Sequence, residues 1–184
     1  MLDLLIVGGL FPWILNVLMG LYVFFRNPRH IVYQKFLLFN LSIAFWSVGS
    51  FFVQFTSHSI ALTITKICYL AACFLPAFSV DFGISLADHR KSLPRITYLL
   101  PLAFSIFLLF GDSFVQDLRQ LPNQRYYVVV PGVGYYGFFI YFLIFSTVTL
   151  TVLYKAARRS IGLRKKQLIY AFFAYIIAAF AGLD

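Results

Sequence analysis

The chain has 184 residues, a net charge of +9, 61% hydrophobic residues, 20% aromatics and 11% charged residues. A soluble domain carries about a quarter charged residues, so this composition excludes an ordinary soluble globular domain. The six acidic residues are all Asp (Asp3, Asp81, Asp88, Asp112, Asp117 and Asp184) and Glu is absent, which leaves little material for paired catalytic carboxylates.

The apolar content is that of a polytopic membrane protein built as one domain over residues 1–184, since about 20 apolar residues cross a bilayer as a helix. Residues 4–25 hold 22 residues without a charge, closed by Arg26-Asn27-Pro28-Arg29, where the proline biases its predecessor away from helix. The run lacks a basic leader and is longer than a signal-peptide core, so it stays as the first helix. Residues 36–55 form the second span, and residues 60–86 a third that contains Lys66, Asp81 and a proline at position 76, where a kink is expected.

The fourth span, 94–111, is short and contains Pro101. The longest polar connection follows, 111–136, where Pro122-Asn123, Pro131-Gly132 and a β-branched run from Val128 to Val130 fit a short external hairpin. Spans five and six are expected at 137–154 and 168–184, separated by the basic stretch 155–167. The fold class is therefore all-α: a transmembrane bundle of six predicted spans.

Lys and Arg distribute unevenly among the connections. Three lie in 26–35, three in 87–95 and six in 155–167, so twelve of fifteen positive charges fall in alternate connections. The positive-inside rule puts these connections in the cytoplasm and the N-terminus outside. Six crossings leave Asp184 outside too, so the natural chain either continues through a seventh helix or delivers its output through cytoplasmic connections or partner helices. The same distribution leaves no basic face for nucleic acid.

Lys66 and Asp81 are the ionisable residues inside an apolar run, and such residues are functional candidates. At a rise of about 1.5 Å per residue they are roughly 22 Å apart along a helix, too far to pair. The ordinary reading has Lys66 reaching the outer interface and Asp81 meeting Arg90, Lys91 or another basic connection. The alternative has Asp81 facing the bundle interior as a proton or ligand contact. Asn16, Asn40 and Gln54 are expected to hydrogen-bond to neighbouring helices. Ser79, Gly83 and Ala87, and again Ala174, Ala178 and Gly182, are spaced four apart and form small-residue packing stripes, internal or dimeric.

Tyrosines and tryptophans at Trp13, Tyr22, Tyr69, Tyr98, Tyr154 and Tyr170 fit interfacial belts. In the external connection, Arg125, Tyr126, Tyr127, Tyr135 and Tyr136 offer a cation and aromatic faces beside the bundle mouth, either for a ligand or simply at rest in the interface. Cys68 and Cys73 lie five apart, on different faces of a helix, and do not suggest a disulfide. The histidines His30, His58 and His89 have no metal-ligand spacing, and no phosphate loop, nucleophile elbow or HExxH is present. Neither a metal, a cofactor nor an enzymatic activity is expected of this chain.

Four stretches carry a family likeness: YVFFRNPRHIVYQKFLLFNLSIAFWSVG (22–49), KICYLAACFLPAFSVDFGISL (66–86), VPGVGYYGFFIYFLIF (130–145) and GLRKKQLIYAFFAYIIAAFAGLD (162–184). With their Asn-Pro turn before a Trp-bearing helix, mid-helix proline, Pro-Gly before the fifth span and Gln at the start of the sixth, they resemble the N-terminal seven-transmembrane sensor region of bacterial histidine kinases. That resemblance implies a sensory module of a two-component or similar system in the bacterial cytoplasmic membrane, responding to a small ligand or a membrane state and leading to cytoplasmic output domains. The chain itself has no phosphoacceptor or ATP-binding motif, so kinase activity would belong to a full-length parent. Its expected partners are the lipid bilayer, an output domain or partner protein, and a second copy in a homodimer. A membrane scaffold presenting the basic connection, and a small transporter or channel component using Asp81, are the alternative readings.

Overall fold

The computed structural model of the protein describes residues 2–88, 93–109, 112–120 and 127–181. The described chain runs α1 (Leu2–Arg26), α2 (Ile31–Val53), α3 (His58–Ala87), a 3-10 turn (Arg95–Tyr98), α4 (Leu99–Leu109), β1 (Val115–Gln120), β2 (Tyr127–Pro131), α5 (Val133–Arg159) and α6 (Gly162–Ala181). It is mostly helical, and α2, α3 and α5 are each long and apolar enough to cross a bilayer.

Three helices overrun the expected spans. Helix α2 starts at Ile31 rather than 36, α5 continues to Arg159 rather than 154, and α6 starts at Gly162 rather than 168. Hydropathy marks the depth of the hydrocarbon, whereas Lys, Arg and Gln are good helix formers that carry a helix on into the interface. The basic stretch expected as a connection is thus the two helical ends of α5 and α6, joined at Ser160 and Ile161. The fourth span is the reverse case. Helix α4 has 11 residues, about 16 Å at the usual rise, and positions 110 and 111 of the expected span lie outside the described residues.

Extensive interfaces join α1 to α2, α2 to α3, α3 to both α4 and α5, and α5 to α6. Helix α3 is therefore the central element. It carries Pro76 in its interior, where the ring removes one backbone donor. The Tyr141 hydroxyl from α5 approaches this segment and donates to the Cys73 carbonyl at 3.2 Å.

The expected hairpin is present, with β1 and β2 antiparallel and Leu118 opposite Val129. A register shift between Val115 and Asp117 puts Val115 and Leu118, three apart, on the same buried face. Phe114 and Val115 are fully buried beside Phe138 and Tyr141. At the hairpin exit Gly132 donates to the Phe114 carbonyl at 2.9 Å. A Cβ at this position would lie 2.1 Å from the Ser113 carbonyl oxygen, so only glycine lets the returning chain approach this closely.

Two sets of contacts define the ends of the bundle. At the hairpin end, Lys66 on α3 pairs with Asp112 at 2.9 Å, and His58 lies 3.0 Å from the Asp117 carboxylate and 2.9 Å from the Leu118 carbonyl. At the opposite, basic end, Lys35 on α2 pairs with Asp81 on α3, and Arg164 on α6 donates to the Ala87 carbonyl at 2.8 Å.

Helices α2 and α3 meet where residue 49 has no side chain. A Cβ on Gly49 would sit 1.7 Å from the Cys68 sulfur and 2.9 Å from its Cβ. Gly49→Ala should therefore lower stability by about 1–3 kcal/mol through overpacking. Cys68→Ala in the same chain should restore part of the loss, which a double-mutant cycle of unfolding midpoints in nanodiscs would measure.

Candidate functional site

The strongest electrostatic feature is Asp81, whose side chain is 0% exposed. Its carboxylate accepts from the Lys35 ammonium, from the Leu93 backbone N–H at 2.8 Å and from the Tyr98 hydroxyl at 2.6 Å. A buried carboxylate needs this degree of pairing, because desolvation costs several kcal/mol per ion. One side chain on α3 thereby ties the start of α2 to the turn that leads into α4. Lys66 and Asp81 thus go to opposite ends of the bundle with separate partners; Arg90 and Lys91 lie outside the described residues.

Two residues before Asp81, on the α5 and α6 side of α3, four hydroxyls converge. Ser79 lies 3.2 Å from the Thr149 hydroxyl and 3.1 Å from that of Tyr175, and Ser146 lies 3.1 Å from Tyr175. Ser79 also reaches the Pro76 carbonyl at 2.7 Å. All four residues are buried. Hydroxyls at such depth hold helices together at roughly 1 kcal/mol each, and here they join α3, α5 and α6 at one point.

Above this junction, toward the hairpin, lie two cavities. The inner one, about 310 Å3, lies between α1, α2, α3, α5 and α6, with Phe39, Phe138, Phe142 and Tyr175 in its wall. The outer one, about 600 Å3, lies under the hairpin, with Gln54, Thr65, Cys68, Tyr127 and Val129 in its wall. Trp46, Tyr69 and Tyr135 border both. The Tyr69 and Tyr135 rings meet edge to face at 6.0 Å and are backed by Phe114, at 5.6 and 5.8 Å. Volumes of several hundred cubic ångströms with apolar and aromatic walls are typical of small-molecule sites. Tyr175 connects cavity and junction, because its ring lines the inner cavity while its hydroxyl meets Ser79 and Ser146.

Of the external residues singled out in the sequence, Tyr127 and Tyr135 line the cavities, Tyr136 is 61% exposed and borders neither, and Arg125 and Tyr126 lie outside the described residues. Asn16 and Asn40 are corrected. Each amide donates to the carbonyl four residues back on its own helix, Pro12 and Phe36, at 2.7 and 2.8 Å, because that acceptor is always within reach of a short polar side chain. Gln54 does the same toward Ser50 at 3.3 Å. On α3, Ser79 and Gly83 do face α5: a Cβ on Gly83 would lie 3.3 Å from Thr149. Ala87 is only partly buried. On α6 the buried face is Leu168 and Tyr175, whereas Ala174 and Ala178 are exposed and Ala178 borders the inner cavity. Gly182 lies outside the described residues.

Sequence reasoning missed Lys35, Trp46 and Tyr175, and it assigned Tyr69 and Tyr98 to interfacial belts. A buried carboxylate implies some cationic partner, which was a usable signal for a residue like Lys35. No spacing rule joins Trp46 to Tyr69 and Tyr135.

These features describe a helical membrane region with a charge junction at one end and an aromatic cavity system at the other. Residues 9–183 match the family described as the N-terminal 7TM region of histidine kinase, and the chain belongs to that family. No curated protein and no solved structure matches it. The family is the membrane sensor region of these kinases and not their catalytic part.

If Asp81 is the pin between α2, α3 and α4, Asp81→Asn should destabilise the protein by about 3 kcal/mol, because it leaves the Lys35 ammonium without its counter-charge. Adding Lys35→Met should recover much of that loss. Reversible unfolding of the three variants in mixed micelles would measure both effects.

Proposed function

We propose that this chain is the sensory transmembrane module of a histidine-kinase-type signalling protein in a bacterial cytoplasmic membrane. The observation that carries this reading is the family membership, which spans residues 9–183. The geometry adds an input and a route. A stimulus that occupies the inner cavity, or alters the bilayer beside it, would favour one packing of α6 against α3 over another. Output follows as a shift of population between the two packings, by as much as the stimulus discriminates between them.

In this reading all six helices cross the membrane, the N-terminus and the hairpin are outside, and the basic end is cytoplasmic. Support comes from the charge count, with Lys155, Arg158, Arg159, Arg164, Lys165 and Lys166 all at the end where Lys35 meets Asp81. Output is delivered to cytoplasmic machinery through that end, and the module works as a homodimer. A transport role would require a path past Asp81, and its carboxylate is already enclosed by Lys35, Tyr98 and the Leu93 N–H.

Two measurements test this. In a background with Cys68→Ala and Cys73→Ala, a cysteine placed by Ser160→Cys should react with an impermeant maleimide only after the membrane is opened; labelling of intact spheroplasts would reverse the orientation. Tyr175→Phe removes the hydroxyl that joins α6 to Ser79 and Ser146 while keeping the ring. It should change kinase autophosphorylation in vesicles from cells making the native protein, with membrane insertion intact. Unchanged autophosphorylation for Tyr175→Phe and for Gly83→Leu would overturn the sensory reading.

A further inference from the structure

The cavity system specifies more than a generic input, and the following rests on the sensory reading. Both compartments are walled without a single charged side chain among the described residues. A charged ligand would have to give up its hydration there with no counter-charge in the wall, a cost that selects against ions. The inner compartment is mostly aromatic, and the outer one is about twice as large and contains Ser50, Gln54 and Thr65. A molecule that fills both therefore has an apolar body for the inner compartment and a polar end for the outer.

The hydrogen bonding of the walls says which kind of polar end. A serine or threonine hydroxyl has one proton to donate and two lone pairs. Ser50 gives its proton to the Trp46 carbonyl at 3.2 Å, Thr65 to Ala61 at 2.8 Å and, in the inner compartment, Ser47 to Ile43 at 2.8 Å. The Gln54 amide spends one of its two N–H protons on the Ser50 carbonyl and keeps the other, together with its oxygen. The hydroxyls thus offer the cavity lone pairs, while Gln54 and the Trp46 indole N–H add donors, so the matching ligand group is a hydroxyl, which donates to the first and accepts from the second.

We infer that the stacked cavities bind an uncharged, membrane-partitioning amphiphile whose apolar body passes Trp46, Tyr69 and Tyr135 into the inner compartment and whose hydrogen-bond-donating end stays under the hairpin. The body lies against the Tyr175 ring, the residue whose hydroxyl reaches Ser79 and Ser146. Occupancy is thus felt where α3, α5 and α6 meet.

Trp46 is a built-in reporter, since Trp13 is the other tryptophan of the chain. With Trp13→Phe in nanodiscs, a bromine-labelled long-chain alkylphenol should quench Trp46 saturably. Its methyl ether, which has no donor, and the matching alkylbenzoate, which is charged, should each bind about tenfold more weakly or worse. Ala178→Phe narrows the inner compartment from an exposed position, and Val128→Phe does the same to the outer one. Either should weaken the phenol by a similar factor while the unfolding midpoint is kept, and the second serves if the first fails to insert.

Quenching that rises without saturation, or that neither filling variant changes, is bilayer partitioning and overturns the proposal. Equal binding of the ether or of the benzoate overturns it as well, by removing the donor or the neutrality from the requirement. None of these outcomes touches the sensory reading, which stands or falls on Tyr175→Phe and Gly83→Leu in the autophosphorylation assay.

Discussion

A carboxylate with no exposed surface in a chain this apolar has to be surrounded by donors, and much of the basic end of the bundle follows from how Asp81 is surrounded. Lys35 comes from the first turns of α2, the Leu93 N–H from the segment after α3, and Tyr98 from the turn that opens into α4. Breaking any one contact leaves polar groups stranded where water is scarce, so the three segments are held in one arrangement. The pairing also explains why α2 begins early. A helix that started at 36 would leave Lys35 in a loop, without a fixed direction toward α3.

The opposite end is organised by weaker and more numerous forces. The hairpin is held by Lys66 to Asp112, by His58 beside Asp117 and by the fully buried Phe114 and Val115. Exposed ion pairs of this kind contribute at most about 1 kcal/mol each, so the apolar burial is what seats the hairpin. Between a tightly pinned basic end and a hairpin end seated by side-chain packing, the hydroxyl junction of Ser79, Thr149, Ser146 and Tyr175 is neutral and exchangeable. Neutral hydroxyls can trade partners at smaller cost than the enclosed Asp81 carboxylate can. The chain's membership of a sensor-kinase membrane family is in keeping with that division.

The helices were legible because each is written in a contiguous stretch: runs of uncharged residues, Asn27-Pro28 after α1, and Pro131-Gly132 before α5. The hairpin could be read from its β-branched run and flanking turn residues. Asp81 stood out because it is the acid that interrupts an apolar run. The amides were misread because an interhelical partner was assumed where the carbonyl four residues back, Pro12 for Asn16 and Phe36 for Asn40, was always closer. The α6 stripe could not be assigned to a neighbour, because spacing by four identifies a face without saying what the face meets; the side buried within the chain is that of Leu168 and Tyr175.

Length, hydropathy and charge by themselves determined that the protein is helical and membrane-embedded, that its basic segments alternate with neutral ones, and that Asp81 would need a partner. These are properties of single segments in a layered solvent, where each residue's cost depends on its depth. Which residues share a site was decided only by the tertiary structure. Lys35 and Asp81 are 46 residues apart, and Ser79 and Tyr175 are 96 apart. Trp46, Tyr69 and Tyr135 come from three different helices. Depth in the bilayer does not encode how helices rotate about their axes or which neighbours they choose, so the cavities and the hydroxyl junction exist only once α3 has been packed against α2 on one side and α5 on the other.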